Sequence, residues 1–164
     1  MEINGVAHTF ITASDFEASV AFYRQLLPFL GMRIVADTPN TFYGVGGRTG
    51  FGINRPADQH VGAAYDQRRI GLHHQCWRAR ERGDIDEAHA FLKSIGAKIV
   101  HGPQDDGFAP GYYSVLFEDP DGIRLEVNHV PGRGLFDTAT QTVGASLDPS
   151  HVGVDDPRRH RVPD

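Results

Sequence analysis

Three side chains of this sequence, His8, His74 and Glu126, have the types and settings best suited to chemistry. Glu126 stands in the middle of GIRLEVNHV, a run whose alternation reads as a strand. Glutamate is depleted in strands and is rarely buried without a partner. A carboxylate stays ionised in such a place by binding a metal ion or by pairing with a base. Two imidazoles and a carboxylate on one surface would bind a divalent ion and leave coordination positions open for a substrate. The plainer alternative keeps both histidines as hydrogen-bonded core groups and pairs Glu126 with Arg78 or Arg124. The second histidine is itself a choice, because GLHHQCW carries His73 and His74 side by side. Neighbours in a strand point to opposite faces, so only one of them can share a face with Glu126.

The elements that must position these residues occur twice. GVAHTFIT mixes β-branched and aromatic residues and reads as a strand. SDFEASVAFYRQLLPFL follows as a helix, with Ser14 as its cap, Glu17 three residues on, and Phe16, Val20, Tyr23 and Leu27 at helical spacing. MRIVADT, NTFYGVGG and TGFGINRP are three short strands split by turns at Pro39-Asn40 and Gly46-Gly47. After RPADQHVGAAYDQRR, which has no clear period, the order recurs. IGLHHQCWRAR is a strand, DIDEAHAFLKSI a helix, and AKIVHGP, YYSVLFEDP and GIRLEVNHV are strands. LGMRIV at 30–35 matches IGAKIV at 95–100, and glycines 31 and 96 end the two helices.

The sequence therefore predicts an α+β fold in a single domain over residues 1–130. It consists of two tandem βαβββ modules, 1–55 and 70–130 around a 56–69 linker, forming a cup-shaped, half-closed barrel. Setting His8 against His74 gives one face with His8, Phe10 and Thr12 and another with His74, Cys76 and Arg78. Ile11 and Trp77 then fall on the sides that helices cover. Setting His8 against His73 would follow the 65-residue offset of the matched segments, an objection that a one-residue loop difference removes.

With HTFITASDFEASVAFYRQLLPFLGM at the start, GLHHQCWRA in the middle and FEDPDGIRLEV near the end, the chain resembles the vicinal oxygen chelate superfamily. That superfamily takes in glyoxalase I, fosfomycin- and bleomycin-resistance proteins and extradiol dioxygenases. The resemblance spans residues 5–130, and its most specific piece is the DPDG turn ahead of Glu126. It implies metal ligands at His8, His74 and Glu126, and a divalent Fe, Mn, Zn, Ni or Co ion. The further carboxylate or glutamine of glyoxalase I has no counterpart in GFGINRP. The three-ligand set is therefore closer to the fosfomycin-resistance and extradiol branches. The implied function is a metal-dependent enzyme for a small oxygenated organic substrate, either a ring-cleaving dioxygenase or a glyoxalase-family lyase. A glutathione- or thiol-using transferase or lyase is the second reading. A non-catalytic drug-binding protein is the third. Homodimers are common among similar proteins, and some build the metal site from both chains.

Other residues are candidates around that centre. His101, Tyr112 and Tyr113 are the candidate proton donors or bases, with DDGFAPG ahead of the tyrosines read as a lid or an edge loop. Arg78 and Arg124 suit an anionic substrate group, and Phe10 and Asn128 complete the substrate-contacting set. His129 and His73 are expected to face away from Glu126. Cys76 reads as a small buried filler. GVGGRTG lacks the GK[ST] ending of a phosphate loop and reads as a hairpin turn.

Composition excludes several classes. The net charge is -5, from 21 acids and 16 bases, so a phosphate-tracking surface and a nucleic-acid partner are not expected. One cysteine gives no disulfide framework, and no stretch approaches 18 apolar residues, so no membrane span is expected. No leader pattern opens the sequence, which points to the cytoplasm. The C-terminal extension 131–164 is rich in turn formers, with Leu135, Phe136 and Val143 as its candidate anchors.

Overall fold

The computed structural model describes residues 1, 3 and 5–132. The extension from 133 onward, with Leu135, Phe136 and Val143, lies outside the described residues. The expected order is met: β1 (His8–Thr12), α1 (Phe16–Phe29), β2 (Arg33–Asp37), β3 (Thr41–Gly46) and β4 (Thr49–Asn54). A single 3-10 turn, Asp58–His60, interrupts the linker. β5 (Gln75–Arg78), α2 (Gly83–Ser94), β6 (Lys98–Asp105), β7 (Tyr113–Glu118) and β8 (Arg124–His129) follow. Among the described residues no helix is long and apolar enough to cross a membrane.

The strands form two four-stranded sheets, ordered β1-β4-β3-β2 and β5-β8-β7-β6. The expected cup-shaped, half-closed barrel is not formed. Each sheet is open, ending at β1 and β2 in the first and at β5 and β6 in the second. A barrel needs its end strands to tilt and hydrogen-bond to one another, and these short strands stay in two separate ladders.

By its internal contacts the chain divides into two compact units. One comprises Met1–Gln75, Leu92–Ile99 and Phe117–Leu125; the other comprises Cys76–Phe91, Val100–Leu116 and the described chain from Glu126. The division does not follow the boundary of the repeat.

In the first sheet β1 runs parallel to β4, and β3 is antiparallel to both β4 and β2, with a bulge between Ile34 and Ala36. Alternation sorts the side chains as the sequence implies. Ile11, Phe42, Phe51 and Ile53 are buried with Tyr23 and Leu27 of α1, whereas His8, Phe10 and Thr12 are exposed. The β3–β4 hairpin closes through Gly47 (φ 57°) and Arg48 (φ 66°), two positive φ values of the kind that two-residue hairpin turns need. Gly46 packs so closely that an added Cβ would lie 2.7 Å from the Gly31 carbonyl oxygen and 2.9 Å from Met32 Cα.

Helix α1 is capped differently from the expectation. Asp15, not Ser14, is the N-cap, its carboxylate accepting from the Ala18 N–H at 2.9 Å. Ser14 instead donates to Asp121, through N–H at 2.6 Å and Oγ at 2.7 Å. Glu17 pairs with Arg55 at 2.5 Å rather than closing a capping box. Gly31 (φ 76°) ends the helix as expected.

The strand expected across residues 70–80 is reduced to Gln75–Arg78, so neither His73 nor His74 lies in it. The Tyr65 hydroxyl takes up the Leu72 carbonyl and approaches that of His73 at 3.3 Å. Gly71 (φ 143°) bends the chain just before them. β6 is longer than expected, running through Gly102 and Pro103 to Asp105, so His101 lies inside a strand and not at a turn.

Candidate functional site

Each sheet carries part of the candidate site. On the first sheet three rows of paired residues cross β1, β4 and β3. They are His8–Gly50–Val45, Phe10–Gly52–Tyr43 and Thr12–Asn54–Thr41. Phe10 and Tyr43 stack with centroids 5.0 Å apart at 22°, and the His8 ring meets Phe10 edge-on at 5.6 Å. Glycines 50 and 52 make this possible: a Cβ on Gly52 would run into the Phe10 ring, and one on Gly50 into the Tyr43 ring. The third row is polar, with Thr41 Oγ1 donating to Asn54 Oδ1 at 2.9 Å.

His74 sits just ahead of β5, beside His73. Their Nδ1 atoms are 2.8 Å apart and their ring planes meet at 76°. The adjacent histidines therefore touch, the opposite of what strand alternation predicts, because the chain here is not extended in a ladder. Gln67 Nε2 lies 2.9 Å from His73 Nε2. Partial burial, and then the charges of His74 and Arg124, hold the His73 imidazole below its ordinary pKa.

Glu126 lies mid-strand in β8 and is buried, with 8% of its surface exposed. Its Oε1 accepts from the Tyr112 hydroxyl at 2.6 Å, and Asn128 Nδ2 donates to the same hydroxyl at 2.7 Å. Since the amide can only donate, the phenolic hydrogen is directed at the carboxylate. Tyr112 is held in turn by the 106–112 turn. Asp106 N–H donates to its carbonyl, its own N–H donates to Ala109, and the Phe108 ring meets it edge-on at 5.3 Å. The segment read as a lid is packed against Tyr112, with Ala109 and Val130 beside it. Burial, and then the neighbouring Cys76 and Glu126, push the Tyr112 phenol well above its ordinary pKa. Burial, and then the Glu126 charge, do the same to the Cys76 thiol.

The remaining candidates sit apart from this network. Tyr113 faces α2, donating to Asp86 at 2.8 Å with Arg82 stacked 3.5 Å above its ring. Arg124 lies 3.9 Å from Glu118, which also holds Lys98. Arg78 is exposed on β5. His101 Nδ1 is 2.9 Å from the Gly102 carbonyl oxygen. Sequence reasoning missed Tyr43 and its glycine bed, although the alternation in TFYGVG and TGFGIN carries that signal.

As donors, two imidazoles and a carboxylate suit a divalent ion. Among the described residues, however, no three His, Cys, Asp or Glu side chains are grouped as a metal ion requires. His8 and His74 belong to the first unit and Glu126 to the second.

With the fold and these clusters in view, the chain belongs to the Glyoxalase/Bleomycin resistance protein/Dioxygenase superfamily, whose sequence profile matches residues 5–127. It is 26% identical over 122 residues to YqjT of Bacillus subtilis (strain 168), covering 73% of this chain and 94% of that protein. It is 25% identical over 129 residues to the metallothiol transferase FosB of Shouchella clausii (strain KSM-K16), covering 77% and 80%. The crystal structure of a proposed glyoxalase from Bacillus halodurans superposes with a TM-score of 0.69 at 26% identity, covering 77% of this chain and 96% of that one.

Proposed function

We propose that the protein is a divalent-metal-dependent enzyme acting on a small oxygenated organic molecule, working in the cytoplasm as a homodimer. His8, His74 and Glu126 are the ligands in this reading, and two copies of the chain supply them jointly. The observation that carries it is Glu126, a buried mid-strand carboxylate aimed by the Asn128–Tyr112 relay. Such a carboxylate is built to present a fixed oxygen. A bound ion would supply Lewis-acid polarisation of a substrate oxygen. The chain's own residues orient and insulate: Tyr112 stays protonated and donates, and Asn128 fixes its direction. The kinship with a metallothiol transferase and a proposed glyoxalase favours thiol transfer or lyase chemistry over ring cleavage. The stacked Phe10–Tyr43 pair supports a second reading, a protein that binds flat molecules without transforming them.

The test is metal content after purification without added metal or chelator. About one equivalent per chain is expected, absent in His8→Ala and in Glu126→Ala. Mixing the two variants should restore roughly a quarter of the sites if two copies share them, since half the dimers are mixed and each holds one intact site. A wild type that takes up no metal after reconstitution would overturn the reading.

A further inference from the structure

We infer that the open face of the first sheet is a flat-ring subsite. It takes a neutral aromatic ring by its face and a neutral hydrogen-bonding substituent at one end. The inference rests on reading this face as the substrate face, and it holds with or without a metal.

Three features converge on it. Phe10 is 43% exposed although it lies mid-strand, and it is braced by Tyr43 at a near-parallel 22°. An exposed phenylalanine with its neighbour stacked alongside offers a ready-made floor, and aromatic rings favour offset stacking on such a surface. The rings can lie down against the sheet, Phe10 over Tyr43 in an offset stack, because β4 contributes Gly50 and Gly52 beneath them, where any Cβ would displace the Tyr43 or Phe10 ring. The row beyond is uncharged, Thr12, Asn54 and Thr41, and Asn54 has its Oδ1 committed to Thr41. That leaves the amide Nδ2 of Asn54 to donate to a carbonyl-type substituent. Rows two residues apart along a strand are separated by about 7 Å, roughly the distance from a ring centre to a donor hydrogen-bonded at about 2.9 Å to a carbonyl oxygen carried on that ring.

The probes are benzamide and cyclohexanecarboxamide, matched in size and substituent and differing in planarity. Each is titrated by calorimetry into the full chain treated with chelator. Benzamide should bind about three- to tenfold more tightly, the size of one aromatic pair. Phe10→Leu should erase the difference, and Gly52→Ala, which removes no aromatic group, should weaken it by displacing the Phe10 ring. Circular dichroism of both variants checks that they fold. Equal binding of the two amides, binding of neither, or a preference that survives both substitutions would each overturn the proposal. So would loss of dimerisation in Phe10→Leu without any ring preference in the wild type, which would make the face a contact between copies. Metal content measured on the same samples separates the two readings: a protein that keeps its metal but shows no ring preference loses only the subsite.

Discussion

The Tyr23 hydroxyl donates to Asp119 Oδ2 at 2.8 Å, linking α1 to the DPDG turn 96 residues away, and both groups are buried. Burial pushes the Asp119 carboxyl up to about 6, against the hydrogen bonds from Tyr23 and the Ile123 N–H that favour its ionised form. An aspartate in the unfolded chain titrates near ~3.9. A folded pKa above the unfolded one gives stability that is full below about pH 4 and lost as pH rises through 6. Asp119→Asn retains an oxygen to accept the Asp121 and Ile123 N–H groups but has nothing to titrate. The wild-type minus variant unfolding free energy should fall by about 2 kcal/mol from pH 4 to pH 7. A difference that is flat in urea titrations across that range would show that the carboxyl is not perturbed.

Tyr112→Phe should cost about 1–3 kcal/mol, because it strips a donor from the buried Glu126 and an acceptor from Asn128. Tyr113→Phe loses only its exposed bond to Asp86 and should change stability by no more than about 0.5 kcal/mol. Chemical denaturation of the two variants side by side measures the contrast. Equal costs would mean the relay contributes nothing beyond surface hydrogen bonding.

Gly46→Ala should destabilise the first sheet by about 1–3 kcal/mol, since its Cβ would press on backbone atoms of Gly31 and Met32 that have no rotamer to escape into. Gly83→Ala, where nothing lies within 4 Å, is the control. A melting temperature unchanged in Gly46→Ala would contradict the close approach.

Cys76 should react with a thiol reagent at pH 8 far more slowly than a free cysteine, because burial and Glu126 disfavour its thiolate. Full reactivity should appear on unfolding in guanidinium. Rapid labelling of the folded protein would place the thiol in a different setting.

The order of elements was legible because it rests on local spacing: the Phe16–Tyr23–Leu27 stripe and the alternation in HTFIT need no distant partner. Where a distant residue decided the outcome, local reading went astray. Ser14 and Asp15 are both good caps, and Asp121 settles the choice by occupying Ser14. His73 and His74 read as strand residues until the Tyr65 hydroxyl is seen to claim the carbonyl of Leu72. The barrel failed for the same reason, since closure depends on which end strands meet. In the candidate site Glu126 stood out by type and position. Its partner Tyr112 did not, because the 106–112 turn that delivers it has no periodic signature.

Asp121 grips Ser14 across 107 residues, so the start of the first helix is completed by the second repeat. During synthesis the carboxylate is made roughly 5–20 s after the serine, at ordinary elongation rates. The first repeat therefore emerges with the Asp15 cap available but without the partner of Ser14. The contact that joins the two repeats is thus a late one, formed only after the second repeat has been made.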